Sequence, residues 1–388
     1  MAQRCGAQHR LIQLRHQRAD HSPVSRGGHV LPHLRPAHLG ADPVATQPAL
    51  PLRAAGTRCR VRLAATGRSV ARDCAHHLRR DYARARRASA RAEAHPVTAV
   101  SRRTTVCVVG GVNVDLVVRV PTLPSPGETV SGGAFTQSVG GKAANQAVAA
   151  QRLGALAHLV ASVGDDAFGD LALAALRGEG VDVSRVRVRL GVATGVALIC
   201  VDDAGENSIA VAPGANDLLD ALPDDTTHFD ATLCLLEAPD AVLIDTARRA
   251  LGLLVLNAAP ARAIPEELLS RTDVLIANEG EHAAIEHQLA DFTGIVIVTL
   301  GSKGAIAQQR GVTLARATPP AVRALDSVGA GDAFCGCLVV DLARGLPIAE
   351  ALERACVAGA LATTALGAQS ALPRADAVTA LWRSSGSG

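Results

Sequence analysis

The sequence predicts an α/β fold: a three-layer α/β/α sandwich around a mainly parallel central sheet, with a small β-sheet lid. Three observations predict it. From Thr104 onward, short apolar runs alternate with helical stretches, the pattern of buried parallel strands joined by covering helices. Apolar residues make up 48% of the chain and aromatics only 2%, so a large core is available and is built from Ala, Val and Leu. Two stretches break the alternation and read as strands linked by turns.

In order, 105–109 is a short apolar run ending at Gly110-Gly111, a buried strand closed by a turn. Strands are expected at 159–163, 233–236, 253–256, 274–276 and 295–299, and helices at 167–178, 241–251 and 331–343. The exceptions are 129–139 and 194–211, the second carrying a hairpin signal at Asp203–Glu206. They place the lid at about 116–139 and 194–212. An open parallel sheet binds ligands at the carboxyl ends of its strands, so a lid there would cover a site.

The net charge of +3 hides a split. Residues 1–103 hold 20 Arg and 5 acidic residues, a balance of +15, whereas 104–388 carry −12. This predicts a basic, disordered N-terminal extension at 1–103, in which only 70–94 has helical character, and an acidic folded domain at 104–388. The extension reads as a segment without a role, ahead of a nucleic-acid-binding arm or a transit-like segment, because no aromatic interleaving accompanies its charge. The nine Cys show no metal-ligand spacing beyond one C-x-C at Cys335 and Cys337, which predicts reduced thiols. No uncharged apolar run reaches membrane-spanning length and no secretory signal is evident, so a cytoplasmic location is expected.

Lysine is rare: Lys142 and Lys303 stand against 37 Arg, each beside glycine. That fits a compact ammonium kept for a specific contact, or chance placement in surface turns. Neither completes a P-loop, since Thr136 stands where its first Gly belongs and Ala143 follows Lys142. The glycines of Gly329-Ala330-Gly331-Asp332 let backbone N–H groups converge at a helix N-terminus, where an anion binds well. Asp332 reads there either as a base taking a proton from an attacking hydroxyl or as a helix cap. Asn113 and Asp115 follow the first strand at i, i+2, which points both the same way and suits neighbouring sugar hydroxyls; turn chemistry is the alternative. Asn278–Glu281 follows another strand and offers two carboxylates for a hydrated Mg2+, or a solvated helix start.

Taken in order, ten segments resemble the ribokinase/PfkB family of carbohydrate kinases from about Val106 to Ala377: 110–115 (GGVNVD), 126–129 (PGET), 140–149 (GGKAANQAVA), 164–166 (GDD), 194–198 (TGVAL), 236–239 (LEAP), 257–261 (NAAPA), 278–281 (NEGE), 299–304 (TLGSKG) and 326–332 (DSVGAGD). The resemblance implies ATP-dependent phosphorylation of D-ribose at O5, giving ribose 5-phosphate and ADP. It implies Asp332 as catalytic base and the amides of Gly329, Ala330 and Gly331 as anion hole. The implied sugar pocket is Asn113, Val114, Asp115, Gly141, Lys142, Asn145 and Glu237. The implied nucleotide contacts are Asn278, Thr299, Leu300, Gly301, Ser302, Lys303, Gly304, Gly331 and Cys356, with Glu281 meeting Mg2+ through water. A K+ site would draw on Asp326, Val328, Ala362, Ala365, Gly367 and the position of Ala371, and a homodimer would form through the lid.

Two departures stand out. Ala371 lacks the hydroxyl the pattern puts in the K+ site, with Ser370 one position away. The 281–299 interval is short by roughly a helix, which predicts a poorly covered strand with exposed apolar surface. Alternative readings are a PfkB-type kinase for another sugar or a nucleoside, and an inactive binding protein of the same fold. Neither nucleic acid nor a membrane is an expected partner.

Overall fold

The computed structural model describes residues 102–220 and 228–385, all within one compact unit spanning His95–Gly388. Nearly all of the basic extension, including the helical stretch expected at 70–94, lies outside the described residues.

The strands in chain order are β1 (Thr105–Val109), β2 (Asn113–Arg119), β3 (Ala134–Gly140), β4 (Leu156–Gly164), β5 (Val186–Arg189), β6 (Gly195–Val201), β7 (Asn207–Ala212), β8 (Ala231–Leu235), β9 (Leu253–Asn257), β10 (Val274–Asn278), β11 (Ile295–Thr299), β12 (Ala305–Gln309) and β13 (Val312–Ala317). The helices are α1 (Lys142–Arg152), α2 (Ala167–Gly178), α3 (Asp240–Arg249), α4 (Glu266–Arg271), α5 (Glu279–Ile285), α6 (Ala330–Ala343), α7 (Ile348–Ala362), α8 (Ala368–Ala371) and α9 (Ala375–Ser385).

Among the described residues, the large sheet has nine strands in the order β13-β12-β11-β10-β9-β8-β1-β4-β5. It is parallel from β5 to β11, and β12 and β13 close it as an antiparallel hairpin. Its central strands are apolar at successive positions because both faces are covered. Val106 and Val108 pack with α1, α6 and α7 on one face, while Cys107 and Val109 pack with α3 and α4 on the other. The α2 boundary has a local cause: the Asp166 carboxylate accepts from the Gly169 amide at 2.8 Å and caps the helix.

The small sheet runs β3-β2-β6-β7, with β2–β3 and β6–β7 antiparallel and β2–β6 parallel. It begins at Asn113, earlier than the expected 116, so Asn113 and Asp115 belong to its second strand. The hairpin expected at Asp203–Glu206 joins β6 to β7, with the Asp202 amide donating to the Glu206 carbonyl.

The short 281–299 interval does not strip its strand, a correction to the sequence expectation. α5 and a 3-10 turn at Glu286–Gln288 bridge β10 to β11, and Ile285 and Phe292 are buried in the core there. In β11, Ile297 and Val298 are buried and Ile295 and Val296 half-buried. A single short helical connection thus still covers a parallel crossover. Among the described residues, no helix is long and apolar enough to cross a membrane.

Candidate active site

The carboxyl ends of β9, β10 and β11 meet the N-terminus of α6 around a cavity of about 260 Å3. It is lined by Lys142, Asn257, Ala259, Ile276, Ala277, Asn278, Glu281, Thr299, Gly329, Gly331, Asp332 and Cys335. Local sequence builds each wall. Gly329 turns into α6 at φ 79°, a left-handed conformation that glycine adopts without strain, and a Cβ there would stand 3.0 Å from the Ala368 carbonyl oxygen. The first amides of α6 have no intrahelical acceptor and sit at the positive end of the helix dipole. Gly141 starts α1 at φ 89°, and a Cβ there would crowd the Asn113 amide and the Gly111 carbonyl, both at 2.8 Å.

Asp332 occupies the first turn of α6. Its Oδ2 accepts from Asn145 Nδ2 at 2.8 Å and its Oδ1 from Gln146 Nε2 at 2.9 Å. Both donors are buried residues of α1, and the other amide oxygen of each, Asn145 Oδ1 and Gln146 Oε1, is buried without a partner. Burial pushes the Asp332 carboxyl up to about 6; the two amide donors and Lys142 pull against that rise, and Glu237 adds to it. A carboxyl poised there, held by two donors, is suited to take a proton near neutral pH.

Lys142 Nζ donates to Glu237 Oε1 at 2.6 Å, an ion pair that is half-buried. Burial works against the ammonium charge, but Glu237, Asp332 and Glu281 hold Lys142 above its ordinary value. Asp115 lies against Gly140, where any Cβ would collide with its carboxylate. Burial pushes Asp115 up to about 6, and Lys142 partly counters this.

Asn113 is fixed from outside the sequence motif. Asn216, in a 3-10 turn at Gly214–Leu218, donates from Nδ2 to Asn113 Oδ1 at 2.9 Å and to the Val112 carbonyl at 3.0 Å. Its Oδ1 accepts from the Val112 amide at 2.9 Å. A Cβ on Gly111 would lie 3.4 Å from both Asn216 Oδ1 and Glu237 Oε2, so these groups border one space. Val114, between Asn113 and Asp115, is buried.

At the carboxyl end of β10, Asn278 and Glu281 form a capping box. The Asn278 side chain accepts from the Glu281 amide at 2.8 Å and the Glu281 Oε2 from the Asn278 amide at 2.9 Å. Glu281 Oε1 lies outside this box, and Glu281 borders the cavity, which fits a hydrated Mg2+ that takes one carboxylate oxygen through water. Thr299 lines the cavity, while Leu300 to Gly304 form the turn leading to β12, exposed at Gly301, Ser302 and Lys303 and buried at Gly304, and are not among the lining residues. Cys356 is buried on α7 with its thiol 3.8 Å from the Ala317 carbonyl, and is likewise not a lining residue.

Asp326 ties two segments of the expected K+ site. Its Oδ1 accepts from the Val328 amide at 3.0 Å and its Oδ2 from the Gly367 amide at 2.9 Å. α7 ends at Ala362, where the Ala360 and Leu361 carbonyls accept from the amides and hydroxyls of Thr363 and Thr364, and this last turn lies at the negative end of the helix. A carboxylate beside the negative end of a helix suits a monovalent cation. The hydroxyl does not: Ala371 is buried, and Ser370 Oγ donates to the Leu366 carbonyl at 2.7 Å.

Sequence reasoning missed Gln146, Asn216, Asn257 and Cys335. Asn257 and Cys335 line the cavity and meet through Nδ2–Sγ at 3.6 Å, and burial holds the Cys335 thiol well above its ordinary range. Gln146 and Asn257 lay inside quoted motifs, but nothing in their spacing marked them. Asn216 lay in none.

Known proteins show the same architecture. The family model for pfkB family carbohydrate kinases matches residues 103–375. The chain is 33% identical over 297 residues to a ribokinase of Haemophilus influenzae, covering 70% of this chain and 96% of that protein. It is 31% identical over 291 residues to a deoxyribokinase of Salmonella typhi, covering 69% and 95%. The ribokinase of Arabidopsis thaliana, complexed with ribose and ATP, superposes with a TM-score of 0.67 at 30% identity, covering 72% of this chain and 99% of that one. Fold, site and sequence agree: this chain belongs to the pfkB family of carbohydrate kinases.

Proposed function

We propose that the chain phosphorylates D-ribose at O5 with MgATP, releasing ribose 5-phosphate and ADP, in the cytoplasm. The observation that carries this is Asp332, held by Asn145 and Gln146 at the N-terminus of α6. It stands between the Lys142–Glu237 ion pair and the strand ends that line the cavity. Asn113, Asp115, Gly141, Lys142, Asn145 and Glu237 hold the sugar. Asn278, Thr299 and the turn from Leu300 to Gly304 hold the nucleotide. Asp332 takes the proton of the attacking hydroxyl, and the amides of Gly329 to Asp332 meet the charge of the transferred phosphoryl group. Mg2+ near Glu281 would neutralise phosphate charge, and K+ beside Asp326 would support the anion hole.

A second acceptor, 2-deoxyribose, is favoured by the similarity to the Salmonella typhi deoxyribokinase. Comparing kcat/KM for the two sugars decides between them. The proposed quaternary form is a homodimer through the small sheet. Phe135 and Leu198, 60% and 55% exposed, share one face of that sheet, which a second copy would cover.

The test is Asp332→Asn, assayed for ribose-dependent ADP formation. Loss of about 10²–10⁴-fold in kcat is expected for a general base. Activity within about tenfold of the unaltered enzyme would sink the assignment.

A further inference from the structure

We propose that Asn216 is a specificity-determining positioning residue, which sets the amide orientation of Asn113 so that the sugar meets an N–H donor there. This rests on the reading that Asn113 touches the sugar.

Asn216 has no freedom to turn its own amide. Its Oδ1 accepts from the Val112 amide at 2.9 Å, and its Nδ2 donates to the Val112 carbonyl at 3.0 Å. A flipped amide would set donor against donor and acceptor against acceptor at Val112. With Asn216 locked, its Nδ2 faces Asn113 Oδ1 at 2.9 Å. Asn113 Oδ1 is therefore engaged, and its Nδ2 hydrogens are the groups left for a ligand. Gly195 permits the contact: a Cβ there would collide with both Asn216 Nδ2 and Asn113 Oδ1.

The consequence is a complementary pair. Asp115, two residues along β2 on the same face, presents an ionised carboxylate that only accepts. Asn113 presents a donor. Two neighbouring sugar hydroxyls, one accepting and one donating, satisfy both groups. If Asn113 turned round, it and Asp115 would both offer acceptors, and one hydroxyl oxygen would lie against a lone pair. Asn216 also clamps Val112, where the chain passes from the large sheet into the small one, so the orientation is fixed before the sugar arrives.

Asn216→Asp keeps the acceptor for the Val112 amide and puts an oxygen opposite both the Val112 carbonyl and Asn113 Oδ1; the Asn113 amide relieves its share of that conflict by turning. The sugar KM is expected to rise by about tenfold or more, with kcat and the ATP KM within about twofold, because an unpaired buried polar group costs on the order of tenfold. The deciding measurement repeats Asn216→Asp in an Asn113→Ala background. If Asn216 acts through Asn113, the second substitution adds nothing to the sugar KM of Asn113→Ala. An equal rise in both backgrounds means that Asn216 only braces Val112, and overturns the proposal. So does an unchanged KM in the single variant. If Asn113→Ala itself leaves the sugar KM unchanged, the underlying reading of the pocket falls, and the proposal with it. Asn216→Ala, checked for an unchanged melting temperature, takes the place of Asn216→Asp if the latter does not fold. It is expected to raise the sugar KM less, and only where Asn113 is present.

Discussion

Gln146→Leu isolates how the Asp332 carboxylate is held. Gln146 is fully buried, and its Nε2 donates to Asp332 Oδ1 at 2.9 Å while its Oε1 has no partner. Replacing the amide by an isobutyl group of similar size removes that donor and orphans no other group. Lys142, Glu237 and the Asn145 donor remain around the carboxylate. A hydrogen bond to a charged group contributes about 1.5–3 kcal/mol. All of it favours the ionised form, and one pKa unit corresponds to ~1.4 kcal/mol. The Asp332 carboxyl, already pushed up to about 6, should therefore rise by a further ~1–2 units. The assay is kcat against pH at saturating sugar and ATP. The acid limb should move upward by that amount, with the plateau at high pH within about threefold, because the base is still present once ionised. An acid limb at the same pH in both enzymes would refute the reasoning. A uniform loss of kcat at every pH would do the same, since it would make Gln146 a packing residue.

Two further perturbations follow from the same geometry. Gly336→Val should destabilise the fold by ~1–3 kcal/mol in urea unfolding, because a Cβ at Gly336 would lie 2.5 Å from the Ala149 Cβ where α6 crosses α1. Asp332→Asn should stabilise the ligand-free protein while it lowers kcat. The folded carboxyl sits near 6, above its ordinary 3.8, so the fold disfavours its ionisation; stability falls as pH rises from ~4 through ~6 and stays low above that. The variant should gain at most ~3 kcal/mol at pH 8 and nothing near pH 4, read from melting curves at both pH values. Asn145 Oδ1 and Gln146 Oε1, both unpartnered, can turn to accept from the new amide.

Much of this molecule was legible in its sequence because its signals are local. β11 and α2 fall at their expected residues, since a β-branched run and an Asp-capped amphipathic stretch each decide their own conformation. The site was legible where glycines announced it, at Gly141 and Gly329. Residues acting through distant partners were not. Gln146 meets Asp332 across 186 positions and Asn216 meets Asn113 across 103, and no periodicity reaches that far. The interval at 281–299 misled for the opposite reason. Length alone suggested a bare strand, whereas Ile285 and Phe292 bury enough apolar surface to close the crossover. The small sheet begins at Asn113, earlier than expected, because Gly110 and Gly111 end one strand while the chain stays extended into the next.

The charge of the pocket explains why two carboxyls in it sit near 6. Asp115, Glu237, Glu281 and Asp332 surround a single ammonium, that of Lys142. Lys142 is paired with Glu237 at 2.6 Å, so its charge is largely spent there; Asp115 carries its burial with little compensation, whereas Asp332 is relieved chiefly by its two amide donors. The two differ in what relieves them. Asp332 already has two amide donors. Asp115 has no hydrogen bond among the causes of its shift, only burial and Lys142. A sugar hydroxyl donating to Asp115 would favour its ionised form and pull it down. Sugar binding should then release protons between about pH 5 and 7 and weaken below pH 6, and the sugar KM, not kcat, should carry that dependence. An Asp115→Asn enzyme, which cannot titrate there, should show a weaker but pH-independent sugar KM. If its KM still rose toward low pH as steeply as that of the unaltered enzyme, the proton would belong to another group.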